Sequence, residues 1–190
     1  MDERPPATPE EIIATTKQWL ERAVIGLDLC PFARAVHVRD QIRYAVSGAE
    51  TPEELLAELF DELQALVAVD PGEIETTLLI HPKVLADFLD YNDFLELANA
   101  AVAELGLEGV IQIASFHPRY RFLGTRPDAI ENYTNRSPYP MLHLLREASV
   151  ERAVAAFPDA AQIFEKNIET LRRLGPEGWR RLGIGPRKGG

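Results

Sequence analysis

The chain has 190 residues, 46% of them apolar and 26% charged, with a net charge of −10 at pH 7 and a single cysteine. That length carries one domain with a substantial core, and the composition is that of an ordinary water-soluble globule. The charge repels nucleic acid and anionic membranes at long range, no apolar stretch reaches the length of a membrane span, and Cys30 alone permits neither an internal disulfide nor a cage of several thiolates.

The opening "MDERPPATPEE" is acidic and Pro-rich and has no apolar stretch of the secretory kind. A cytoplasmic location is therefore expected, with residues 1–9 as a disordered segment. Thr8, Pro9 and Glu11 form a helix start: a capping hydroxyl, a first-turn proline and the glutamate of a capping box. Ile12, Thr16, Trp19, Leu20 and Ala23 follow at helical spacing, and Gly26 stops the run. The stretch "AVHVRDQIRYAVSG" alternates through Val36, Val38, Ile42, Tyr44 and Val46, which predicts one long strand or a hairpin folded near Asp40. Thr51-Pro52-Glu53-Glu54 repeats the helix-start signature, and "VDPG" at 69–72 ends the helix it opens.

The runs "IETTLLI" (74–80) and "EGVIQIASF" (108–116) are β-branched and almost continuously apolar, as strands buried on both faces are. A helix over about 84–105 separates them, with Asn92 or Asp93 as a possible break. Residues 117–138 lack any period and are rich in Pro, Asn, Arg and Tyr, which predicts a long functional loop. Two helices, over about 139–156 and 159–174, close the chain around Pro158 and Asp159, and residues 183–190 read as a flexible tail. The fold expected is α/β: a compact single domain over 10–182, its three- or four-stranded parallel or mixed sheet flanked by helices.

Both strand-like runs end in His-Pro, at His81-Pro82 and His117-Pro118. A residue before proline is held extended, and proline cannot donate to a ladder, so each histidine marks a strand end. Parallel strands would bring both imidazoles out at the carboxyl end of the sheet, where open α/β sheets bind ligands. From His117 to Arg146 the charge is +3, against −13 for the remainder.

This suggests an enzyme acting on an anionic, phosphate- or carboxylate-bearing small molecule. His81 and His117 would be general acid and base. Arg119, Arg121 and Arg136 would hold the anion, supported by Asn132, Tyr133, Tyr139 and Arg146. A helix over 139–156 would present Tyr139, His143 and Arg146 on one face.

Two further readings stand beside it. His81, His117 and either Cys30 or His143 could ligate zinc or iron, and Cys30-Pro31 also fits a minimal haem-ligating pattern. A non-catalytic interaction module would use Trp179, Arg180 and Arg181 as anchors. Oligomeric state is not legible.

The blocks "LCPFA", "ETTLLIHP", "DFLDYNDFL", "IQIASFHP" and "NYTNRSPYPMLHLLREASVERA" resemble a chiefly bacterial family known as domain of unknown function 1415, over about residues 10–182. The resemblance implies a single-domain soluble protein. It implies no activity, cofactor or catalytic residue, because none is established for that family.

Overall fold

In the computed structural model, which describes residues 7–156 and 162–185, two helices begin by the same device. The Thr8 hydroxyl accepts from the Glu11 amide, and the Glu11 carboxylate accepts from the Thr8 amide, opening α1 (Pro9–Trp19). Thr51 and Glu54 do the same for a second helix (Pro52–Ala68). Such caps satisfy amides that the first turn leaves unpaired. The first helix runs on without a break into a π-helical stretch, Leu20–Ile25. At its end a Cβ on Gly26 would collide with the Arg22 carbonyl oxygen, so the closing turn requires glycine.

After α2 (Ala33–Val38) come β1 (Ile42–Val46), α3 (Pro52–Ala68), β2 (Thr76–Ile80), α4 (Phe88–Glu104) and β3 (Ile111–Phe116). A 3₁₀ turn (Ile130–Asn135), β4 (Met141–Arg146), α5 (Glu147–Ala156) and α6 (Ile163–Arg181) complete the order. The sheet is mixed, in the order β1-β2-β4-β3. β1 and β2 are parallel, and β4 is antiparallel to both of its neighbours, β2 and β3.

Side chains alternate across this sheet and divide the core in two. Leu79, Leu142, Leu144 and Ile111 face α3 and α4. There Leu55, Leu59, Leu63 and Leu66 of α3 are at most 1% exposed, each contributing about 1.5–3 kcal/mol of burial. Leu78, Ile80 and Met141 face the other way, against Ile12, Trp19, Leu20 and Ala23.

Four expectations need correction. Residues 33–38 form a helical turn, not the first half of a strand: the Arg39, Asp40 and Gln41 amides fold back onto the carbonyls of Ala35, His37 and Val36. Asp40 reverses the chain at φ 56°, and Val38 is 77% exposed. Residues 141–146 are a strand, not the start of a helix, because β2 and β3 pair with both of its edges. Tyr139, His143 and Arg146 therefore share no helix face; tertiary pairing overrides a helical spacing in a sequence that fits both periods.

The helix expected from 84 starts at Phe88, capped by Asp87, since Leu85 takes φ 58°; it passes Asn92 and Asp93 unbroken. The last helix does not end at 174 but runs to Arg181, with its non-helical point at Gly175. Pro158 and Asp159, residues 1–6 of the segment expected to be disordered, and residues 186–190 of the expected tail lie outside the described residues.

Candidate functional site

His81 and His117 do lie at the same end of the sheet, but β4 separates their strands. The two rings meet across Tyr91, with centroids 5.8 Å and 5.0 Å from it. The Tyr91 hydroxyl donates to the Met141 carbonyl and accepts from the Phe116 amide, tying α4 to β4 and β3.

Both histidines, each 0% exposed, turn toward the backbone of residues 84–86. His81 Nδ1 donates to the Val84 carbonyl at 3.1 Å, and His117 Nε2 donates to the Leu85 carbonyl at 3.1 Å. Arg119 Nη2 donates to the next carbonyl, that of Ala86, at 2.5 Å. Three consecutive carbonyls of the turn before α4, which holds the positive φ of Leu85, are thus clamped from two strand ends.

His117 has no nitrogen to spare, because its Nδ1 accepts from the Arg119 amide at 3.0 Å. The lone pair on His81 Nε2 is buried without a partner among the described residues. Burial holds the His81 pKa down at about 4, with the neighbouring His117 adding to the effect. Burial likewise lowers His117, while the Leu85 carbonyl pulls it back up. As the chain is folded, neither ring offers a nitrogen to a ligand.

The basic loop is also spent on its own backbone. Arg136 donates to the Pro127 and Tyr120 carbonyls, with its guanidinium 4.2 Å from the Tyr133 ring centroid. Asn132 accepts from the Phe122 amide and the Thr125 hydroxyl and donates to the Arg126 carbonyl. Arg146 holds the Leu66, Val69 and Ile74 carbonyls at the end of α3. Arg121 is exposed, and half-buried Tyr139 packs on the α1 side of the sheet. Trp179 packs on that same side and meets Tyr133 edge-on at 5.0 Å, while Arg180 pairs with Glu177. Arg181 borders a shallow groove beside Leu27.

A different place gathers ligand-binding features. On the sheet face opposite the two strand-end histidines, a cavity of about 310 Å³ is floored by Thr76, Leu78, Ala114, Phe116, His143 and Leu145. Trp19, Leu20 and Val24, from the end of α1 and the π-helical stretch, form one wall, and Cys30, Phe32 and Val36 form a second. Ser149, Val150 and Ala153 of α5 form a third, and Glu75, Gln112 and Arg146 also border the space. Glu75 is paired with Arg152 at 3.3 Å.

The orientation of His143 is forced. Thr76 Oγ1 lies 2.6 Å from the Leu144 carbonyl oxygen and 2.7 Å from His143 Nε2. A carbonyl can only accept, so the single hydroxyl hydrogen goes to Leu144, and His143 must donate from Nε2 to the threonine oxygen. Nδ1 then carries a lone pair, has no partner among the described residues, and is not among their enclosed unpaired atoms. The ring is half-buried and lines the cavity. Burial lowers its pKa to about 4, so it is neutral at physiological pH. Cys30 is neutral as well: burial pushes its thiol up, against a smaller opposite pull from the Phe32 and Ala33 amides.

The proposed metal ligands are therefore divided, with Cys30 and His143 on one side of the sheet and His81 and His117 on the other. Among the described residues no group of three or more His, Cys, Asp or Glu side chains is placed to hold a metal ion. A raised thiol also opposes the thiolate that axial haem ligation needs. Among the described residues no helix is long and apolar enough to cross a membrane.

Cys30 and His143 carried recognisable chemistry in the sequence, but Thr76 did not. Its role becomes visible only when β4 is read as a strand, which puts His143 opposite Leu78 and beside Thr76 on one face.

Fold and cavity together define an α/β protein built on a four-stranded mixed sheet, helices on both faces, with an apolar pocket on one of them. The chain belongs to the family described as Protein of unknown function (DUF1415), whose model matches residues 11–181. No curated protein and no solved structure matches the chain.

Proposed function

We propose that the protein binds a small, largely apolar molecule in the cavity on the α1 side of the sheet. The observation that carries this reading is the cavity itself: about 310 Å³ lined by Leu20, Val24, Leu78, Ala114, Phe116 and Leu145, a volume and lining in the range of small-molecule sites. The π-helical stretch supports it, since such irregularities cost helical regularity and recur at functional sites. Here that stretch supplies Leu20 and Val24 to the wall.

Catalysis on an anion by His81 and His117, with Arg119, Arg121 and Arg136 as its holders, is less well supported. His117 would have to release Leu85 or Arg119 first, and the enclosed Nε2 of His81 would have to be uncovered. A phosphate or carboxylate compound that perturbed the NMR signals of His81 and His117 would restore that reading.

Trp19 lines the cavity and gives a direct assay. A neutral aromatic probe such as N-phenyl-1-naphthylamine should quench tryptophan fluorescence saturably with one site per chain. Ala114→Phe, which adds a ring to the cavity floor, should abolish that response while leaving the far-UV circular dichroism unchanged. An unsaturable wild-type response would reject the proposal.

A further inference from the structure

We infer that the cavity selects ligands carrying one neutral hydrogen-bond donor, a hydroxyl or an N–H, and that His143 Nδ1 is the acceptor. The inference rests on the cavity being a ligand site and goes on to name the chemistry of what it takes. It follows from a chain of donors with one possible direction. The Leu144 carbonyl takes the Thr76 hydrogen, Thr76 Oγ1 takes the His143 Nε2 hydrogen, and the lone pair on Nδ1 is left for the cavity.

Arg146, the one cation lining the space among the described residues, is turned toward the end of α3: its Nη2 is committed to three carbonyls and its unpartnered Nε is enclosed, which leaves only Nη1 uncommitted. An ionised carboxylate would bring its charge against apolar walls and the lone pair of an uncharged imidazole, which costs several kcal/mol in general. A hydroxyl instead meets an acceptor already held in the right tautomer. Thr76 is thus a positioning residue, acting on the ligand through His143.

Three probes of equal chain length separate the possibilities: 1-octanol, which donates; octyl methyl ether, which is neutral and cannot donate; and octanoate at pH 7.4. Competition against the naphthylamine probe should rank octanol above the ether by about 3- to 10-fold, the usual value of one net hydrogen bond. Octanoate should be weakest.

In ¹⁵N spectra the free protein should show His143 protonated at Nε2, and octanol but not the ether should shift the Nδ1 resonance. His143→Phe should bind all three without preferring octanol over the ether. Thr76→Val should lower that preference and mix the tautomers; if it does not fold, His143→Phe and the wild-type spectra still decide. Equal affinity for octanol and ether, or tightest binding of octanoate, would overturn the donor selection and leave the cavity as a binding site. Displacement by none of the three, with the naphthylamine response also unsaturable, would remove the site itself.

Discussion

Replacing His117 with alanine should cost about 2–6 kcal/mol of folding stability, a magnitude that follows from what the ring touches. The Leu85 carbonyl loses its donor at a half-buried position, which costs about 1–3 kcal/mol. The Arg119 amide loses its acceptor too, but Arg119 is exposed and water can replace the imidazole, so this adds at most about 1 kcal/mol. The vacated space lies against Tyr91 and Phe88, whose ring centroids are 5.0 and 5.5 Å from that of His117. A void of that kind adds roughly 1–2 kcal/mol. Urea unfolding followed by circular dichroism measures the sum, with an unchanged m-value confirming that the same surface is exposed on unfolding. A loss below about 1 kcal/mol would refute the clamp and return His117 to the candidates for catalysis.

Stability should also depend on pH with a definite sign. Histidine in the unfolded chain titrates near 6.5, whereas folded His81 and His143 are held at about 4 and His117 is lowered too, each chiefly by burial. Between those values the unfolded chain takes up protons that the folded chain refuses. Stability is therefore whole above about pH 6.5 and falls as the pH drops toward 4, His81 contributing about 3 kcal/mol to the fall. Urea midpoints at pH 7 and 4.5 check this, and an equal decline in His143→Phe would deny His143 a share.

Arg146→Met should cost about 2–3 kcal/mol, because three carbonyls at the end of α3 lose their donor; a change under 0.5 kcal/mol in the same urea assay would show that water takes over. Cys30 should react with N-ethylmaleimide at pH 7.5 at least roughly tenfold more slowly than a free thiol, since burial disfavours its thiolate. Octanol should slow it further, and a rate equal to glutathione's would place the sulfur outside the cavity wall.

Much of the fold is legible in local chemistry. Thr8 with Glu11 and Thr51 with Glu54 announce their helices because a capping box needs only four residues to form. The strands ending at His81 and His117 are legible from their β-branched, apolar composition; β2 is buried throughout as that composition implies, whereas β3 lies at the sheet edge and buries only Ile111. β4 is not: Met-Leu-His-Leu-Leu-Arg fits a helical stripe as well as an alternation, and what decides is a pair of neighbours far away in sequence.

That one ambiguity hides the cavity, since only a strand places His143 and Thr76 side by side. The π-helical wall leaves no mark in residue type. The double His-Pro is a true signal of strand ends and of convergence, but the rings converge on backbone carbonyls. Nothing in the dipeptides distinguishes a clamp from a catalytic pair.

The most direct test of the ligand cavity is a set of intermolecular NOEs from bound 1-octanol to assigned methyl groups. Cross-peaks to Leu20, Val24, Leu78 and Leu145 are the predicted result. Cross-peaks confined to Val84 and Leu85, beside the clamped turn, would contradict the account and move the binding site to the other face of the sheet.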